Sequence, residues 1–193
     1  MKAIPGLAYL SFLALGLAVS GCAMAGATSD VDGAGATLRY GDVQPLLDQK
    51  CISCHTGSGA AQGLRLNSWQ ALVAGSEHGE AVIPFDAARS LMIELTTKLV
   101  GGPHPAEVGG ETLSDAEVAL LSRWVDEGAA SASGEIPFAD ARHLLYAANQ
   151  SVAVISVIDM DSNQVIRTVD LQEYGLPANA SPHHIAVAPD GSF

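Results

Sequence analysis

The feature that most constrains this chain is the run Cys51-Ile52-Ser53-Cys54-His55. Two thiols stand two residues apart, and an imidazole follows the second at once. Three chemistries use such a set: a disulfide, half of a zinc site, or covalent attachment of a haem. Each needs different surroundings, and the rest of the sequence supplies the means of choosing.

The chain opens with Lys2 and then an apolar run from Leu7 to Val19. That run is short for a bilayer span and sits where an export signal belongs. It ends in Val19-Ser20-Gly21-Cys22, which resembles the lipobox of bacterial lipoproteins. The resemblance implies cleavage after residue 21, lipidation of Cys22 and stable anchoring by several acyl chains. Ala23, rather than aspartate, follows the cysteine, which by the same resemblance favours an outer-membrane lipoprotein facing the periplasm. A plain secretory signal containing a cysteine is the other reading. Either way the compartment is the cell envelope, where disulfides are permitted. The formal net charge is −12, which repels nucleic acid and disfavours a DNA or RNA role.

Composition divides the remainder. Residues 22–37 are small, polar and Gly-rich, and read as a flexible tether. Residues 38–129 carry helical signals. Asp42 is placed to cap a helix through Lys50, with Pro45 in its first turn. Asn67 or Ser68 starts a short turn through Ala74, and Asp86 precedes a stripe of Leu91, Met92, Leu95 and Leu99. Ser114 and Glu117 form a capping box ahead of Val118, Leu121, Trp124 and Val125, with Gly128 as the stop. Residues 130–142 read as a linker. From His143 the period changes to two. Strands are expected over 143–148, 152–159 and 165–171, and a fourth over 184–188. The fold class is therefore multidomain: a small all-α domain followed by an antiparallel β segment over 143–193.

A redox disulfide of the thioredoxin kind sits at the start of a helix beside a parallel sheet, and no strand precedes Cys51. A structural zinc site wants four ligands, and here His78 and His104 would have to complete it. One covalently held haem employs all three residues. Each thiol forms a thioether with a vinyl group, and His55 lies beneath the iron as proximal ligand.

The residues around this motif resemble the planctomycete-type cytochrome c domain. The likeness runs through Tyr40-Gly41-Asp42-Val43-Gln44-Pro45-Leu46-Leu47, Lys50-Cys51-Ile52-Ser53-Cys54-His55 and Gly63-Leu64-Arg65-Leu66. It continues through Val82-Ile83-Pro84 and Ser90-Leu91 to Leu113-Ser114-Asp115 and Arg123-Trp124-Val125-Asp126-Glu127-Gly128-Ala129. It implies electron transfer through a single low-spin haem c, with Trp124 and Leu121 packing the last helix against the first. Such domains usually supply a methionine as the second axial ligand, from a Pro-rich loop before the last helix. Here that loop is Gly101-Gly102-Pro103-His104-Pro105-Ala106 and holds no methionine. His104 is the candidate distal ligand. Met92 is the lesser one, since it sits in an apolar stripe where methionine commonly fills a core. A five-coordinate iron is the third possibility.

The β segment resembles repeats of the YVTN type, in which each four-stranded blade of a β-propeller covers its neighbour. About one blade is present, and a lone blade leaves apolar faces and bare edges, so the sequence is expected to be part of a longer chain. His183 and His184 point to opposite faces of any regular strand and cannot share one ligand. The functional expectation is an electron carrier rather than an enzyme, passing electrons to a redox partner or to its own propeller. Two alternatives stand beside it: the electron-feeding domain of a larger cytochrome–propeller oxidoreductase, the plan of haem nitrite reductases of the cytochrome cd type, or a propeller that binds a surface ligand.

Overall fold

The computed structural model describes residues 37–98 and 102–188. The signal 1–21, Cys22, nearly all of the tether and Leu99 lie outside the described residues. Residues 36–193 form one compact unit, with helices first and a sheet after them. Among the described residues no helix is long and apolar enough to cross a membrane.

Helix α1 spans Tyr40–Lys50. It starts two residues earlier than the cap expected at Asp42. The Asp42 carboxylate instead reaches back to accept from the Arg39 amide at 2.8 Å, satisfying a donor that the first turn leaves open. Pro45 consequently lies in the second turn, where it removes the donor that would serve the Gly41 carbonyl. The helix tolerates this because its Tyr40, Val43, Leu46 and Leu47 face is buried, and burying each such side chain contributes about 1.5–3 kcal/mol.

Helix α2, Trp69–Val73, is capped by the Ser68 hydroxyl, which accepts from the Ala71 amide at 3.2 Å. Asp86 caps only a 3-10 turn, Ala87–Arg89, and α3 begins afresh as Leu91–Thr97. The break at Ser90 resets the helical phase, so the buried residue of α3 is Ile93 rather than the expected leucine stripe. Helix α4, Asp115–Asp126, has the capping box foreseen at Ser114 and Glu117. Its Leu121, Trp124 and Val125 join Val43, Leu47, Leu66 and Leu72 in the core. Trp124 meets Tyr40 of α1 with ring centroids 6.2 Å apart. The indole N–H groups of Trp69 and Trp124 donate to the carbonyls of Ala129 (2.8 Å) and Ala130 (3.0 Å), so neither buried polar atom goes unpaired.

The stretch 130–142 contains buried Ala130, Ser131 and Pro137. It leads to a three-stranded antiparallel sheet in chain order: β1 Leu144–Asn149, β2 Val154–Asp159 and β3 Gln164–Asp170. A fourth strand over 184–188 does not form, and described residues 177–188 have no regular structure beyond a turn. Its apolar pattern suits a strand, but a strand exists only where a neighbour satisfies its backbone groups. The β3 side of the sheet meets the helical part. Gln164 Nε2 donates to the Ala74 carbonyl at 2.7 Å, and the Val165 amide donates to the Glu80 carboxylate at 3.2 Å. Thr168 donates to the buried Asp86 carboxylate, and Arg89 bridges Asp86 (3.0 Å) and Asp170 (2.9 Å).

Candidate functional site

The cysteine motif begins where α1 ends. The amides of Cys51 and Ile52 both donate to the Leu47 carbonyl, and those of Cys54 and His55 to the Cys51 carbonyl. The motif is thus one irregular helical turn, which puts Cys51, Cys54 and His55 on a tight arc. Cys51 is half-buried and packs against the core, whereas Cys54 is exposed. Both are free thiols. Burial pushes the Cys51 thiol up to about 11, against a smaller opposing pull from Lys50. A dithiol built for redox exchange needs a depressed thiol pKa, and Cys51 has the opposite. Among the described residues no group of three or more His, Cys, Asp or Glu is gathered to hold a metal. His78, which a zinc site would need, is exposed and pairs through Nε2 with Gln62 Oε1 at 2.9 Å.

His55 is fixed at both backbone and ring. Its carbonyl accepts from the Leu66 amide at 2.9 Å, and its Nδ1 lies 3.3 Å from the Leu64 carbonyl oxygen. Since a carbonyl only accepts, Nδ1 carries the proton and Nε2 keeps its lone pair. Burial, with a smaller push from nearby His104, lowers the pKa of His55 and favours the neutral ring, which is the ligating form.

His104 comes from the loop between α3 and α4. Its amide donates to the Leu95 carbonyl of α3 at 2.9 Å, and a 3-10 turn at Ala106–Val108 follows. The ring of His104 lies 6.0 Å from that of His55, centroid to centroid, with an interplanar angle of 62°. Its Nδ1 is 3.0 Å from Glu107 Oε1, which leaves Nε2 as the other ring nitrogen. The two candidates thus come together although they lie far apart in the sequence. Met92 packs against the hydrophobic core, as its place in an apolar stripe foretells. No motif marks Glu107. Its spacing of three from His104 acquires meaning only once the 3-10 turn is known.

The arrangement fits a haem held by Cys51 and Cys54. Imidazole nitrogens bond metals at about 2 Å, and two rings about 6 Å apart would leave room for one metal ion between them. The observed spacing agrees with that value. When bound, haem supplies a one-electron ferric/ferrous couple. The chain's own part would be to keep the His55 ring neutral, orient both imidazoles through Nδ1 and cover Cys51 with apolar side chains.

Lys50 ties the end of the loop between α3 and α4 to α1. Its side chain is 6% exposed, and its ammonium reaches Glu111 at 2.9 Å and Glu117 at 3.5 Å, joining the end of α1 to the start of α4.

No curated protein and no solved structure matches the chain. Residues 51–101, the segment that opens with the cysteine motif, match the family model described as Planctomycete cytochrome C.

Proposed function

We propose that this protein is an electron carrier with one covalent haem c, bound through Cys51 and Cys54, with His55 as proximal and His104 as distal ligand. The observation that carries this reading is the 6.0 Å approach of the two imidazole rings, each with its Nδ1 engaged elsewhere. Nitrogen on both faces stabilises the ferric state relative to a His/Met pair, because thioether sulfur favours the ferrous state. The carrier works from the cell envelope, anchored through lipid on Cys22. Its redox partner is a protein with a basic docking face, which the net charge of −12 favours.

The test is a visible and near-infrared spectrum of protein matured with the haem-attachment machinery. Haem that survives denaturing extraction, a low-spin ferric spectrum and no far-red sulfur-to-iron band are expected. His104→Ala is expected to abolish the low-spin form, and Met92→Leu to leave it unchanged. A sulfur band lost in Met92→Leu would replace His104 by Met92, and complete extraction of haem would overturn the reading altogether.

A second reading is favoured by the outer edge of β1. Among the described residues that strand pairs only with β2, and Leu145 and Tyr146 on it are 51% and 39% exposed. In this reading the sheet is the start of a propeller. The haem domain then feeds a larger oxidoreductase, or accompanies a propeller that binds a surface ligand. Sequencing the reading frame past Phe193 decides: repeated strand blocks support it, and a stop codon removes it.

A further inference from the structure

The two imidazoles are oriented by different chemistry. His55 gives its Nδ1 proton to a neutral backbone carbonyl, that of Leu64, at 3.3 Å. His104 faces a carboxylate, Glu107 Oε1, at the shorter distance of 3.0 Å. Glu107 is not an incidental neighbour. The amide of Glu107 donates to the Pro103 carbonyl and that of Val108 to the Pro105 carbonyl. The amides of Gly109 and Gly110 close the same turn on Ala106 and Pro105, and His104 itself is pinned to Leu95. Five backbone hydrogen bonds therefore hold the imidazole and the carboxylate in one rigid unit.

We propose that Glu107 is the positioning residue of the distal ligand and sets the reduction potential of the site. This rests on the reading of His104 as that ligand. The carboxylate accepts the Nδ1 proton, so the free lone pair of His104 is the Nε2 pair on the far side of the ring. A full negative charge at Nδ1 also makes the imidazole a stronger donor, as outer-sphere carboxylates do for ligating histidines. A stronger donor favours Fe(III) over Fe(II), so the distal side holds the potential down while the proximal side, with its neutral partner, does not. The pair is partly open to solvent, His104 at 29% and Glu107 at 31% exposed, which moderates the effect without removing it.

The experiment is a potentiometric titration of the mature holoprotein, with spectra at each poise, for wild type, Glu107→Gln, Glu107→Ala and His104→Ala. Glu107→Gln keeps an acceptor at the same reach but no charge. It is expected to stay low-spin and to raise the ferrous-to-ferric ratio at fixed poise about tenfold, which for one electron is about 59 mV. Glu107→Ala is expected to raise it at least as far and to add a high-spin fraction, because the ring is no longer oriented. Glu107 is exposed at the surface, so both variants are expected to fold. If both keep the wild-type potential while His104→Ala loses the low-spin spectrum, the role of Glu107 is overturned and the ligand assignment stands. If His104→Ala keeps the low-spin spectrum, the ligand assignment falls and the proposal falls with it.

Discussion

Gly110 shows how tightly single atoms hold the distal loop. A Cβ at this position would lie 2.7 Å from Pro105 Cβ and 2.9 Å from its Cγ, closer than carbon atoms approach. Pro105 is a buried ring bonded directly to His104, so it cannot yield without moving the proposed ligand. Gly110→Ala is expected to convert part of the low-spin haem to high-spin while the far-ultraviolet circular dichroism stays unchanged. A fully low-spin spectrum in the folded variant would show that the loop absorbs the extra methyl. Trp124 marks the opposite case, a residue whose worth is bulk. It is fully buried, and its indole N–H is paired at 3.0 Å. Trp124→Ala is expected to cost about 3–5 kcal/mol in urea unfolding; a loss below 1 kcal/mol would mean that the core recloses. Cys51, Cys54, His55 and Trp124 were all legible in the sequence, because motif spacing and helical period are local. Glu107 and Gly110 were not, because each acts only through a neighbour that the folded loop brings to it.

At the scale of elements, the sequence reading succeeded where a helix carries its own punctuation. The Ser114–Glu117 box predicted α4 and its buried stripe, and replacing Ser114 by alanine is expected to lower stability by about 1 kcal/mol. Where capping is shared with distant groups the reading drifted. Asp42 was expected to open α1 but serves as the acceptor for Arg39. Asp86 caps a short turn and also reaches across to Thr168 of β3, while Arg89 ties it to Asp170. That cluster joins sheet to helices. Asp86→Ala leaves several donors unpaired near a buried position, so it is expected to destabilise by about 2–3 kcal/mol. It is also expected to speed hydrogen exchange in β3 more than in α4. Equal acceleration in both would show that the cluster does not join the sheet to the helices. The fourth strand failed for the related reason that alternation of apolar residues gives a face but not a partner.

For the molecule as a whole, the charge balance makes a directional prediction about acid. The carboxyls of Glu117, Glu127, Asp159 and Asp170 are held below their ordinary range. Their leading causes are hydrogen bonds from the Ser114 amide, the Leu38 amide, the Ser162 hydroxyl and the Gln172 amide. A depressed folded pKa means that the unfolded chain binds more protons. The stability so gained is complete above the ordinary carboxylate range, near pH 4, and drains away as pH falls through the lower folded values. The thermal midpoint is therefore expected to fall steeply below about pH 4. A midpoint that held or rose down to about pH 2.5 would mean that relief of the net negative charge outweighs these hydrogen bonds.

By itself the sequence determined the spacing of the cysteine motif, the helical character of residues 38–129 and the change to strands after residue 143. All of these rest on residues close together in the chain, whose spacing is a physical constraint before any tertiary contact forms. Only the tertiary structure decided that His104 meets His55, that Glu107 meets His104, and that the sheet packs on the helices through Asp86 and Gln164. Those outcomes depend on loops closing across tens of residues. The free energy that closes them is the burial of a shared core, which no single segment carries.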